Sequence, residues 1–187
     1  MLFRSDDDGF LSFGLHAGAS AIPFLEAARD PERLAVAEID PRMPRTLGLP
    51  EFGGHRIHVR DVDVLLECDN PLFALPASQP DDADRRIAAL VGDLVPDGAT
   101  LQFGIGSVPN EIATILASGP RGDFGIHTEM VVDGVKLLHE AGKVSNRKGL
   151  HDGFSIATFA LGSQALYDWL DGDGPVRFLP ASATNPA

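Results

Sequence analysis

Two sites in this chain combine residue types suited to chemistry with a spacing that makes the chemistry possible. One is a glycine turn, Gly104-Ile105-Gly106, inside Leu101-Gln-Phe-Gly-Ile-Gly-Ser-Val-Pro-Asn110. The other is a glutamate, Glu129, inside Phe124-Gly-Ile-His-Thr-Glu-Met130. Each segment reads as a short buried strand breaking into a helix. In a parallel sheet both breaks fall on one edge, outside the carboxyl ends of the strands, where ligands bind in open α/β folds. Glycine lets the backbone approach a ligand with no Cβ in the way. Ser107 is placed to cap the helix that follows, and Pro109 suits its first turn. Free N–H groups at such a helix start form an anion or oxyanion site. The turn is not a dinucleotide fingerprint, because no third glycine follows, and it is not a P-loop, because no Gly-Lys-Ser/Thr follows. On these residues alone, a tight turn without a ligand and a binding loop explain Gly-x-Gly equally well.

Glu129 has two readings. As a helix first-turn acid it is stabilised by the helix N-terminus. As a nucleophile its carboxylate attacks a thioester and forms an acyl anhydride, splitting one hard step into two easier ones. Asp133, one turn on, either raises the Glu129 pKa by like-charge repulsion or is a solvated helix acid. His127, two residues earlier on the same strand face, and Thr128 are candidates for orienting a substrate. A packed strand histidine is the plainer reading of His127.

Other residues point away from chemistry. His55, His58, Asp61 and Asp63 have ligand-like spacing, but no recognised metal signature covers them, and no metal is expected. Cys68 is the only cysteine, which rules out an intrachain disulfide or a thiolate cluster and fits a reducing cytoplasm. We expect Cys68 in the core, and Tyr167 and Trp169 as packing anchors. A net charge of −12 argues against a nucleic-acid partner. The first residues lack a signal-peptide apolar stretch, and no run is long enough to span a membrane.

The elements that must hold these residues follow from periodicity. With 187 residues the chain is one large domain or parts of two. Strands are expected at 10–15, 34–39 and 62–67, with a helix at 21–29. Residues 69–84 hold three prolines and four aspartates and read as an interdomain linker. Beyond it, a helix at 84–95 carries Ile87, Leu90, Val91 and Leu94 on one face. Strands at 100–103, 124–127, 154–159 and 176–179 then alternate with helices at 108–118, 130–141 and 163–171, and Gly142 stands where a C′ glycine belongs. Such alternation implies right-handed βαβ crossovers and a parallel sheet. The tail, 180–187, reads as the approach to a further element.

Taken together, Gln102-Phe-Gly-Ile-Gly-Ser-Val-Pro-Asn110, Gly125-Ile-His-Thr-Glu-Met130 with Asp133-Gly134, and Gly142-Lys-Val-Ser-Asn146 with Lys148 resemble the acetyl-CoA hydrolase/transferase family. The nearest pattern is that of the class I 4-hydroxybutyrate and butyrate:acetate CoA-transferases. Asp8-Gly-Phe-Leu-Ser-Phe-Gly14, Asp40-Pro-Arg-Met-Pro-Arg-Thr46, Asp97-Gly-Ala-Thr-Leu-Gln102 and Phe159-Ala-Leu-Gly-Ser163 with Leu166-Tyr-Asp168 extend the likeness nearly end to end. The resemblance implies an α/β fold with a parallel sheet, of the NagB/RpiA/CoA-transferase type. It places residues 1–80 at the end of a first CoA-transferase domain plus linker, and 81–187 at the start of the second domain. By motif match, Glu129 is the nucleophile. Gln102, Gly104, Ile105, Gly106, Ser107, Val108, Pro109 and Asn110 are the CoA-contacting segment.

The implied reaction is ping-pong transfer of CoA from an acyl-CoA to a small carboxylate, through a glutamyl-CoA thioester. Coenzyme A is then a substrate, with no permanently bound cofactor, and a homo-oligomer, dimer or higher, is expected. Family members are longer, so the opening of the first domain and a later glycine-rich segment that helps hold CoA lie outside the match. Two alternatives stay open. One is acyl-CoA hydrolysis by the same glutamate. The other is a non-catalytic fragment or partner subunit, which predicts an incomplete sheet and exposed apolar edges.

Overall fold

A computed structural model describes residues 1–16, 18–76 and 78–185. Ala77 of the expected linker, and Pro186 and Ala187 of the tail, lie outside the described residues. The chain opens with β1 (Leu2–Ser5) and β2 (Phe10–Ser12). The turn between them is built by Asp6, whose carboxylate accepts the N–H of Asp8 and of Phe10. Strand β1 lies ahead of the first expected strand, because four residues beside an aspartate run carry little periodic signal.

Helix α1 (Ala21–Ala27) follows, then β3 (Val36–Ile39), β4 (Arg56–His58) and β5 (Val64–Glu67). These strands make one mixed sheet in the order β4-β2-β1-β3-β5, parallel across β1, β3 and β5 and antiparallel at β2 and β4. Phe3, Phe13 and Phe24 of α1 pack ring to ring at 5.0 to 6.0 Å. Offset contacts of this kind add to the burial term.

Helix α2 (Asp82–Leu94) starts two residues before its expected position. Asp81 caps it by accepting the Asp84 N–H, and Asp84 reciprocates to the Asp81 N–H, a capping box built from two aspartates. After it come β6 (Thr100–Leu101), α3 (Ser107–Ser118), β7 (Gly125–Ile126), β8 (Met130–Val131), α4 (Asp133–Glu140), β9 (Ser155–Ala157), β10 (Phe159–Ala160), α5 (Gln164–Leu170), β11 (Val176–Phe178) and the short α6 (Ala181–Thr184).

The expected helix at 130–141 begins only at Asp133, because Met130 and Val131 instead pair in parallel with Phe159 and Ala160. Its end is as expected. Gly142, at φ +68°, donates to His139, and Lys143 donates to Leu138, the two bonds of a Schellman cap. Strands β6, β7, β9 and β11 run parallel side by side. The His127 N–H reaches Leu101 and the Thr128 N–H reaches Ile156, which joins the pairs into one sheet. The architecture is therefore α/β, with a parallel second sheet and a mixed first one.

Residues 73–76 lie as a strap on the second half: Leu75 N–H donates to Gly162, and the buried Tyr167 hydroxyl donates to Phe73. One contiguous core runs from Phe3 and Leu11 through Phe124 and Ile126 to Phe178. The expected apolar face of α2 is not part of it. Ala88 and Gly92 face α3, while Leu90 and Leu94 are 69% and 81% exposed. Among the described residues, no helix is long and apolar enough to cross a membrane.

Candidate functional site

The glycine turn leaves β6 and enters α3. Gly106 is the N-cap of α3 at φ +129°, ψ 174°, a conformation open only to glycine. Ser107 is the first helical residue, not the cap, and among the described residues no side chain caps this helix. The expected Ser107 cap is therefore replaced by bare backbone, which leaves the first amides free for an acceptor. A Cβ placed on Gly104 would meet nothing within 4 Å among the described residues. Gly104, Ile105 and Gly106 are exposed, as is Gln102.

Glu129 lies between β7 and β8, not at a helix start. Its carbonyl accepts the N–H of Thr158 (2.9 Å) and of Phe159 (3.1 Å), so both strand pairs break at the same level. Its side chain is exposed and has no hydrogen-bond partner among the described residues. The expected stabilisation by a helix N-terminus fails, because α4 begins four residues later. Asp133 is occupied elsewhere. Its carboxylate accepts the backbone N–H of Ser163 (3.0 Å) and the Ser163 hydroxyl, which ties α4 to the cap of α5.

Thr128 and His127 turn away from solvent chemistry. Thr128 is 1% exposed. Its hydroxyl accepts the Phe103 N–H at 3.1 Å and faces the carbonyls of Phe103 (3.2 Å) and Met130 (3.0 Å). His127 is half-buried, and its Nε2 meets the Thr184 carbonyl at 2.9 Å, docking α6.

A cavity of about 530 Å³ opens where α3, α4 and α5 start. Ile105, Gly106 and Asn110 of the expected binding segment line it, with Val132, Asp133 and the strap residue Leu75. Gln102, Gly104, Ser107, Val108, Pro109 and Glu129 are outside its lining. Sequence reading missed the strap wall. The prolines of 69–84 signalled irregular backbone, but not that the backbone would lie across the sheet edge.

The other singled-out residues are structural. Asn146, at φ +53°, accepts the Ile126 N–H, and Lys148 Nζ donates to the carbonyls of His151 and Phe154. Burial lowers the Lys148 pKa. His55 is buried against Phe178, with Nε2 on the Gly14 carbonyl, and burial lowers its pKa to about 4. His58 accepts the Arg60 N–H, and Asp63 accepts the Ala35 N–H. Among the described residues no group of three such side chains could hold a metal.

Cys68 is half-exposed at the end of β5, not in the core. Desolvation, then the neighbouring Asp40 and Glu38, push its thiol up to about 11, so it stays protonated at neutral pH. Trp169 packs on His139 as expected, ring centroids 5.3 Å apart.

No protein-family model matches the chain. A 4-hydroxybutyrate coenzyme A transferase from Clostridium kluyveri is 36% identical over 173 residues, covering 92% of this chain and 38% of that protein. The crystal structure of RipA from Yersinia pestis superimposes with a TM-score of 0.87 at 33% identity, covering 98% of this chain and 41% of that one. A 4-hydroxybutyrate CoA-transferase structure from Porphyromonas gingivalis gives a TM-score of 0.85 at 28% identity, covering 98% and 44%. The chain thus spans about two fifths of the length of the relatives it matches.

Proposed function

Because the chain is homologous along nearly its whole length to part of the CoA-transferases, we propose that it carries their nucleophile and a CoA-binding loop. The observation that supports this most is Glu129 itself. It is a carboxylate with no hydrogen-bond partner among the described residues, set at a strand break that a buried threonine ties to an open glycine turn.

In this reading Glu129 attacks the carbonyl carbon of a short acyl-CoA, and the CoA thiolate leaves. The thiolate then attacks the Glu129 carbonyl of the resulting anhydride, which releases the acyl group as its carboxylate and leaves a glutamyl-CoA thioester. An incoming small carboxylate repeats the sequence in reverse and departs as the new acyl-CoA, freeing Glu129. The uncapped amides of Ser107 and Val108 supply donors for the developing oxyanion or for a CoA phosphate. Gln102, Pro109 and Asn110 shape the loop, and His127 and Thr128 hold the break. Residues 1–80 and 81–187 correspond to the end of one domain and the start of another. The setting is the reducing cytoplasm, and the working state is a homo-oligomer.

The test is to supply acetyl-CoA and propionate and to follow propionyl-CoA. Transfer predicts propionyl-CoA formation that disappears in Glu129→Ala. CoA release at the same rate without propionate would establish hydrolysis instead.

A second reading is favoured by a specific observation: Leu65 and Leu66 of the edge strand β5, and the α2 stripe, are exposed. On that reading the chain is a partner subunit, active only when another polypeptide covers these surfaces.

A further inference from the structure

We infer that Thr128 is a positioning residue that locks the glycine turn to the Glu129 break, and that it does not contact substrate. Three observations carry this. Its hydroxyl is buried. It bonds the Phe103 N–H, which directly precedes Gly104, and it faces the carbonyls of Phe103 and Met130, the latter directly following Glu129. Strand β6 ends at Leu101, so the Phe103 N–H has no ladder partner and depends on this side chain. One hydroxyl therefore spans the entry of the loop and the turn that carries the carboxylate.

Thr158 provides an internal contrast. It occupies the equivalent break between β9 and β10 and is equally buried, yet its hydroxyl has no hydrogen-bond partner among the described residues. Removing a paired hydroxyl strands a buried donor, whereas removing an unpaired one does not. The consequence for catalysis rests on the function proposed above; the clamp itself does not.

The experiment has two independent readouts on the whole chain. Amide hydrogen exchange tests the clamp. In the wild type the Phe103 amide is protected, while the amide of the exposed Gly104 exchanges freely. Thr128→Val speeds Phe103 exchange by about tenfold or more, and Thr128→Ser restores it. Thr158→Val leaves Phe103 exchange unchanged. A wild-type Phe103 amide as labile as that of Gly104 would overturn the clamp, even if Thr128→Val failed to fold. So would unchanged protection in a folded Thr128→Val protein.

Propionyl-CoA formation tests the coupling. Thr128→Val lowers kcat with little change in KM, and Thr128→Ser recovers it. A raised KM at constant kcat would instead indicate a substrate contact and reject the positioning role. Wild-type protein that makes no propionyl-CoA, yet shows the exchange pattern, would count against the transferase reading and leave the clamp standing.

Discussion

Gly106 sits at φ +129°, whereas Gly104, two positions earlier, faces open space. The two glycines therefore respond to the same substitution in opposite ways. Gly106→Ala forces a side chain into a glycine-only conformation and costs about 1–3 kcal/mol, read as a lowered Tm. Gly104→Ala keeps stability within about 0.5 kcal/mol. If a CoA thioester lies against that backbone, however, the new methyl group occupies its space and binding weakens, which calorimetric titration measures.

The buried His55 and the half-buried His139 set an acid limit. His55 has a folded pKa of about 4, depressed mainly by burial, and so does His139. The unfolded chain takes up these protons first as pH falls. Stability is therefore steady above pH 6.5 and is lost between 6.5 and about 4. For His55 the loss is on the order of 3 kcal/mol. Thermal melts across that range show the fall, and His55→Gln reduces it.

Helix α2 shows where sequence pattern and tertiary structure part. Ile87, Leu90, Val91 and Leu94 repeat at helical spacing, which reads as a core face. The chain buries Ala88 and Gly92 against α3 instead, because only small residues allow that close approach: a Cβ on Gly92 would come within 3.0 Å of Ile115. Gly92→Leu should cost about 2 kcal/mol. Leu90→Asp should cost less than about 0.5 kcal/mol in the isolated chain, with denaturant melts separating the two. If another polypeptide covers the stripe, Leu90→Asp abolishes that association, which ultracentrifugation detects.

Other elements were legible for clear reasons. Helix α3 and the Gly142 stop follow from strong local signals, a glycine break and a C′ glycine. Strand β8 was not legible, because Met130 and Val131 read as the start of a helix and become a strand only by pairing with Phe159 and Ala160; β10 was legible only at Phe159, the end of the strand expected at 154–159, which the structure breaks at Thr158.

Across the whole molecule, the order of motifs was more informative than any single motif. Gly-x-Gly and Glu129 each had a plain local explanation. Their shared sheet edge follows from βαβ alternation, and the parallel β6-β7-β9-β11 sheet bears that alternation out. The cavity at the starts of α3, α4 and α5 was not legible. Its strap wall, formed by Leu75, Pro76 and Ser78, is held through the Leu75 N–H on the carbonyl of Gly162, far along the sequence. Apolar side chains of α2 and β5, Leu90, Leu94, Leu65 and Leu66 among them, stand exposed.

The central claim is that Glu129 is a nucleophile toward acyl-CoA. Incubation with acetyl-CoA, trapping with hydroxylamine and peptide mass spectrometry test it most directly. The expected result is a hydroxamate on Glu129, absent in Glu129→Ala and without acetyl-CoA. An unmodified Glu129, or a modification on another residue, would contradict it.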